Sequence, residues 1–219
     1  NLGDCWKEEK DGENVYKPVG IKCIKKAFKL SKDAKHKNRN LSWLIELYEI
    51  AIEEKATDEW SLREKGVLHV HQKQFEEAEK IYTDLILSFS DKSYVWSEFS
   101  DAVADPEVKI GMLYKAIQVE NSEDFLGDIR LKLSQLLIEK EAGNQAKEQL
   151  KIYAKQRQKK GWKLVENFDA LQSQAETLGQ EINIEACINL AEEYAFKNIE
   201  WTDLVIIDQW KNDKNVEKL

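Results

Sequence analysis

The sequence predicts an all-α protein made of helices packed in pairs, and three observations carry that expectation. Apolar residues recur at intervals of three and four from Val19 to Lys160, the spacing of one helical face. Helix breakers are scarce, with two prolines and nine glycines in 219 residues. Small residues stand twelve apart in two of the helix–turn–helix segments, where two rods must approach closely. With 42% hydrophobic and 34% charged residues, the chain has apolar material for a core and charge for its outside.

Residues 1–18 hold Gly3, Gly12, Pro18 and many charges and read as a flexible arm, which Trp6 and Tyr16 can tack onto the body. From Val19, the residues Ile21, Ile24, Ala27 and Phe28 line a first helix, broken at Asn38 to Asn40. A second, from Leu41 to about Lys55, carries Leu44, Leu47, Tyr48 and Ala51 on one stripe. Thr57 and Asp58 suit the N-cap of a third, ending near His71, and Gln72 to Gln74 make a turn. A fourth helix spans Phe75 to Leu87, and a fifth Tyr94 to Ala104. Asp105-Pro106 then pairs a capping side chain with a first helical position that needs no N–H. The helix after it carries Ile110, Leu113, Tyr114 and Ile117. Asn121-Ser122 precedes a helix to about Glu141, and Gly143-Asn144 a helix over Gln145 to about Lys159.

The small residues fall in register. Gly66 and Ala78 are twelve apart, with Phe75 opening the second helix and Tyr82 filling the space beside it. Trp96, Phe99 and Ser100 open a degenerate unit whose second helix closes at Ala116, out of step with the first because the Asp105-Pro106 turn is tight. Ser134 and Ala146, again twelve apart, make another degenerate unit with Leu133, Leu137, Leu150 and Tyr153, and Tyr48 and Ala51 match the end of a weaker first one. A unit of about 34 residues with this pattern is that of tetratricopeptide (TPR) repeats. The fold expected is therefore a TPR-like α-α superhelix, a right-handed solenoid of helical hairpins over residues 19–160. Residues 161–219 read as non-repeat C-terminal capping helices and a tail. Phe168, Leu171, Ala175 and Leu178 form one stripe there, and Ile184, Cys187, Ile188, Ala191 and Ala195 another. The patch of Trp201, Leu204, Val205 and Ile207 reads either as part of that cap or as a seam to a further domain.

A second likeness lies in Tyr94-Val95-Trp96, Lys115-Ala116-Ile117, Glu123-Asp124-Phe125-Leu126, Arg130-Leu131-Lys132-Leu133, Ala146-Lys147 and Gly161-Trp162-Lys163. With Ala191-Glu192-Glu193 and Phe196, these segments resemble a family of large bacterial TPR-containing proteins over roughly Asp58 to Trp201. The resemblance implies a multidomain parent in which the helical part precedes an OB-fold or cold-shock-like, RNA-contacting segment, sometimes in defence against foreign nucleic acid. No such alternating run stands in this sequence. Met112 is the sole methionine, so the chain reads as a fragment or a processed product.

Charge and chemistry narrow the function classes. The net charge of −8 disfavours indiscriminate nucleic-acid binding, yet Lys22 to Arg39 holds eight basic residues against Asp33 alone. Lys151 to Lys163 holds six with no acid. Each run is either a solvated helix face or a phosphate-facing patch, with Lys22, Lys25, Lys26, Lys29, Lys155, Arg157, Lys159 and Lys160 as the candidates for RNA contact. His69 and His71, two apart on a helix, point in different directions and cannot chelate one metal. His69 reads as a core histidine and His71 as a groove or solvent one. Cys5, Cys23 and Cys187 are too few and scattered for a disulfide framework and suit a reduced, cytoplasmic protein. No apolar run approaches a membrane span, and no phosphate loop, nucleophile elbow or zinc motif is present.

No enzyme, metal, cofactor, membrane or small-molecule substrate is therefore expected. The expectation is a scaffold that binds a peptide or partner helix on the concave face, through Trp60, Arg63, His71, Tyr94, Ser97, Asp101 and Gln135. The same face reads alternatively as plain solvent-exposed surface, or as filled by the protein's own C-terminal helix. An RNA-associated accessory module is the other function reading.

Overall fold

Helix follows helix through most of the chain. The computed structural model describes residues 2–32, 39–56, 59–199, 210–211 and 217–218. Its helices are α1 Val19–Ser31, α2 Ser42–Glu53, α3 Glu59–His71, α4 Phe75–Phe89 and α5 Ser93–Ala102. They continue with α6 Pro106–Val119, α7 Gly127–Glu139, α8 Gly143–Lys160, α9 Phe168–Glu176 and α10 Ile184–Ala195. The N-terminal segment carries a 3-10 turn, Leu2–Trp6, and an antiparallel hairpin of β1 Glu9–Asp11 with β2 Asn14–Tyr16. Trp6 packs against the backbone of α1 at Gly20, where any Cβ would overlap its ring. Two further short strands, β3 Trp210–Lys211 and β4 Glu217–Lys218, pair with each other. Asn38, the caps expected at Thr57 and Asp58, and the apolar patch at Trp201, Leu204, Val205 and Ile207 lie outside the described residues.

Local chemistry sets the helix ends. The Asp105 carboxylate accepts the Glu107 N–H at 2.8 Å, and Pro106 opens α6. Asn183 caps α10 by accepting the Ala186 N–H at 3.1 Å. Four helices close with one device, the Schellman motif, in which a left-handed residue turns two N–H groups back onto the last carbonyls. That residue is Lys55 after α2, Lys73 after α3, Glu141 after α7 and Gly161 after α8. After α8, Gly161 donates to the Gln158 carbonyl at 3.2 Å and Trp162 to the Arg157 carbonyl at 2.9 Å. The expected pause at Gly143-Asn144 is absent because Gly143 is already the first residue of α8.

The helices bury two apolar clusters. One joins α1 and α2 to Leu68 of α3; the other runs from Ala78 to Ala195 and contains Trp96, Phe99, Met112 and Leu113. Neighbouring helices pack in pairs, α3 on α4 and α7 on α8. Gly66 lies under the Tyr82 ring at a spacing that leaves a Cβ only 3.1 Å of room, and Ser134 and Ala146 are fully buried. Phe75 is the exception, 46% exposed at the start of α4 rather than filling the gap.

The open TPR-like solenoid does not form. After α9, residues 178–183 pass across the start of α8, held by the Gln145 side chain. That amide donates to the Ile182 carbonyl at 2.8 Å and accepts the Ile182 N–H at 3.0 Å. The chain then turns back, and α10 packs along α6 in the middle of the sequence. Phe196 meets the Trp96 ring edge-on at 6.0 Å, Tyr194 lies beside Phe99, and Lys197 reaches Glu79 of α4 at 2.6 Å. Thus α10 is not a cap at the end of a stack. It closes the helices into a globular bundle, a contact that a one-dimensional array of neighbours does not contain.

Candidate interaction surface

The residues expected on the binding face come together along α3, α5 and α7. Trp60 and Tyr94, on α3 and α5, stack with ring centroids 5.4 Å apart and planes inclined by 27°. The Arg63 guanidinium sits 4.6 Å from the Tyr94 centroid and 5.3 Å from that of Trp60. Its Nε donates to Glu98 Oε2 at 2.8 Å, and its Nη2 donates to the other carboxylate oxygen. Burial is the largest single influence on Arg63 and opposes its charge, but the Glu98 hydrogen bond and the charge of that carboxylate, helped by Tyr82 and Tyr94, together exceed it, so the guanidinium pKa rises.

Lys132 of α7 ties the next pair. Its ammonium donates to the Ser97 carbonyl and to Ser100 Oγ, both at 2.8 Å, and pairs with Asp101 at 2.5 Å. Burial draws the Lys132 pKa down, against the pull of Asp101. Glu98 and Asp101 also line a cleft of about 350 Å³ with Val67, Val70, His71 and Tyr82. The Tyr82 hydroxyl, buried and facing Glu98, is held well above the usual phenol pKa, first by desolvation and then by that carboxylate. A neighbouring cleft of about 400 Å³ lies between Tyr94, Ser97, Glu120, Phe125 and Ile129. Phe125 stands on its edge, 72% exposed.

Trp60, Arg63, Tyr94, Ser97 and Asp101 thus form one continuous surface, with His71 exposed at the adjoining cleft. Gln135 is exposed on α7, one turn beyond Lys132. Sequence reasoning missed Glu98, Lys132 and Phe125 as members of this surface. The signal for the first two was spacing: Arg63 and Glu98, and likewise Ser97 and Lys132, are 35 residues apart. Phe125 lies at the start of the helix expected after Asn121-Ser122, but Ser122 caps a separate 3-10 turn, Glu123–Phe125, that leaves it exposed.

The basic candidates divide between two packing units. Lys22, Lys25, Lys26 and Lys29 lie on α1, which belongs to the N-terminal cluster, and Lys22 sits 5.8 Å over the Tyr16 ring. Lys155, Arg157, Lys159 and Lys160 lie on α8 in the larger cluster. Two of these four are engaged internally. Arg157 donates twice to the Lys163 carbonyl and lies 5.3 Å from the Trp162 ring, the side-chain contact of the helix-end motif. Lys160 pairs with Asp124 at 2.6 Å.

His69 is buried, its Nδ1 2.8 Å from the Gln74 side-chain oxygen. Among the described residues no group of three or more His, Cys, Asp or Glu could hold a metal ion, and no helix is long and apolar enough to cross a membrane.

Fold and surface together define an all-α helical bundle with an exposed aromatic strip braced by ion pairs. Residues 59–183 match the family described as Domain of unknown function (DUF7017), and the chain belongs to that family. The match runs from the first residue of α3 to the N-cap of α10, and so takes in the whole α3–α5–α7 surface. No curated protein matches the chain.

Proposed function

We propose that this protein is a cytoplasmic interaction module that binds a peptide or partner helix across the α3–α5–α7 surface. One observation carries the reading: Trp60, 40% exposed, stacks on Tyr94, and Phe125, 72% exposed, lines the cleft on which Tyr94 opens. Large aromatic residues held rigid at low entropic cost are the usual anchors of protein interfaces. Here Arg63, braced by Glu98, fixes the Trp60–Tyr94 stack before any partner arrives. Glu98, Asp101 and Glu120 around the clefts favour a partner that brings apolar side chains together with basic ones. The RNA reading has weaker support, because the lysines of α1 and the basic residues of α8 lie on separate packing units and Arg157 and Lys160 already have partners.

The test is photo-crosslinking in cells, with a benzophenone amino acid at position 125 and, as a control, at exposed Leu87 of α4. A discrete protein adduct at 125 is expected, absent at 87 and depleted by Trp60→Ala. Co-purifying RNA without a protein adduct overturns the reading.

A further inference from the structure

A second groove lies away from the aromatic surface, between α8 and α9, with a volume of about 510 Å³. Leu150, Ala154 and Phe168 give it an apolar floor. Lys147, Lys151 and Lys155 stand four residues apart on α8 and therefore edge it on one side as a row. Among the described residues none of the three forms an ion pair, whereas Lys160 on the same helix pairs with Asp124 and Lys115 on α6 with Glu192. Among the described residues the one acid lining the groove is Glu176, on the α9 side.

Like charges at successive i,i+4 positions repel one another. The chain as a whole carries a net charge of −8, so this positive row is a local feature rather than a general bias. An apolar trough beside a row of unpaired ammonium groups fits a ligand with the opposite pattern: apolar side chains at helical spacing and carboxylates along one edge. Nucleic acid fits less well. Stacking bases need an open aromatic face, but Phe168 is buried and tilted against the Tyr153 ring at 5.9 Å.

We propose that the α8–α9 groove docks an acidic amphipathic helix of a partner protein. The site is independent of the aromatic surface, and its test is built to keep the two apart. A random peptide library displayed on phage is selected against the full chain, and enriched peptides are labelled and titrated by fluorescence anisotropy. The expected peptides combine Asp or Glu with Leu, Ile or Phe at helical spacing. Their affinity should fall about tenfold or more in the triple variant Lys147→Gln, Lys151→Gln, Lys155→Gln, and weaken as salt is raised. Ala154→Gln, which fills the floor and leaves the charges alone, should also weaken them, while Phe125→Ala should not. Unchanged thermal unfolding of the triple variant keeps the comparison clean, since Lys151 and Lys155 are exposed and Lys147 is only half-buried. A selection that returns no acidic–apolar peptides overturns the proposal, as do peptides that bind the triple variant equally well. So does poly(U) RNA binding that the triple variant loses while the selected peptides bind unchanged.

Discussion

Gly111 in α6 lies directly against the backbone carbonyl of Cys187 in α10, so close that a Cβ at position 111 would overlap it. The contact is backbone on backbone, and Ala191 fills the space beside it. Replacing a helical glycine by alanine ordinarily gains about 1 kcal/mol. Here the obstructing group cannot swing away as a side chain end could. Gly111→Ala should therefore destabilise the protein, by about 1–3 kcal/mol as for other overpacked sites. Amide exchange should quicken in residues 184–195 before it does in α3 or α4. A variant that is stabilised, with α10 as protected as before, would show that the crossing has room for a methyl group.

That crossing also marks where the sequence stops being legible. Helix positions follow from local chemistry: Pro106 after Asp105 starts α6, and Gly161 ends α8. The pairing of neighbours follows from small residues such as Gly66, which admits the Tyr82 ring. The return of α10 to α6 depends on contacts far apart in the chain, Gln145 with Ile182 and Gly111 with Cys187. No periodicity encodes such contacts, because each partner looks locally like any other helix residue. The aromatic face was visible through Trp60 and Tyr94, whereas its bracing by Glu98 and Lys132 needed the structure to show which helices lie side by side.

Lys73 adopts φ +59° at the end of α3, a left-handed conformation that a Cβ disfavours. Its N–H donates to the Val70 carbonyl and the following Gln74 N–H to that of His69, so the turn cannot relax without losing both bonds. Lys73→Gly should remove the strain while paying some unfolded-state entropy, for a net stabilisation of about 0.5–1 kcal/mol. Urea denaturation, with its slope unchanged and its midpoint raised, is the check.

His69 links stability to pH. Burial lowers its pKa below the ordinary 6.5, and Lys65 pushes in the same direction, against Gln74, Glu77 and Glu49. The folded state thus prefers the neutral ring, and the unfolded chain binds the proton more readily. The contribution is fully present above pH 6.5 and is lost as the pH falls from there through the lowered folded value. Thermal midpoints at about pH 7.5 and pH 5.5 should fall further apart in the native protein than in His69→Gln, which cannot titrate. Equal shifts in the two proteins would remove His69 as the cause.

Arg63 and Glu98 give the sharpest test of the aromatic surface. Both side chains are about four-fifths buried, at 22% and 20% exposure, and join through paired hydrogen bonds. Removing one partner leaves the other's charge desolvated beside Tyr82, so Arg63→Met should cost about 1–3 kcal/mol. Glu98→Gln should cost less, since an amide can still accept one bond from the guanidinium. In a double-mutant cycle the second change should add little once the first is made, giving a coupling energy of about 0.5–3 kcal/mol. Additive effects would mean that the pair is not coupled in solution. The cycle also separates bracing from binding. If Arg63 acts by holding the Trp60–Tyr94 stack, Arg63→Lys should keep the charge yet lose the planar contact with both rings. Partner affinity should then fall with Arg63→Lys much as with Arg63→Met, because the stack, and not the charge alone, is what a ligand meets.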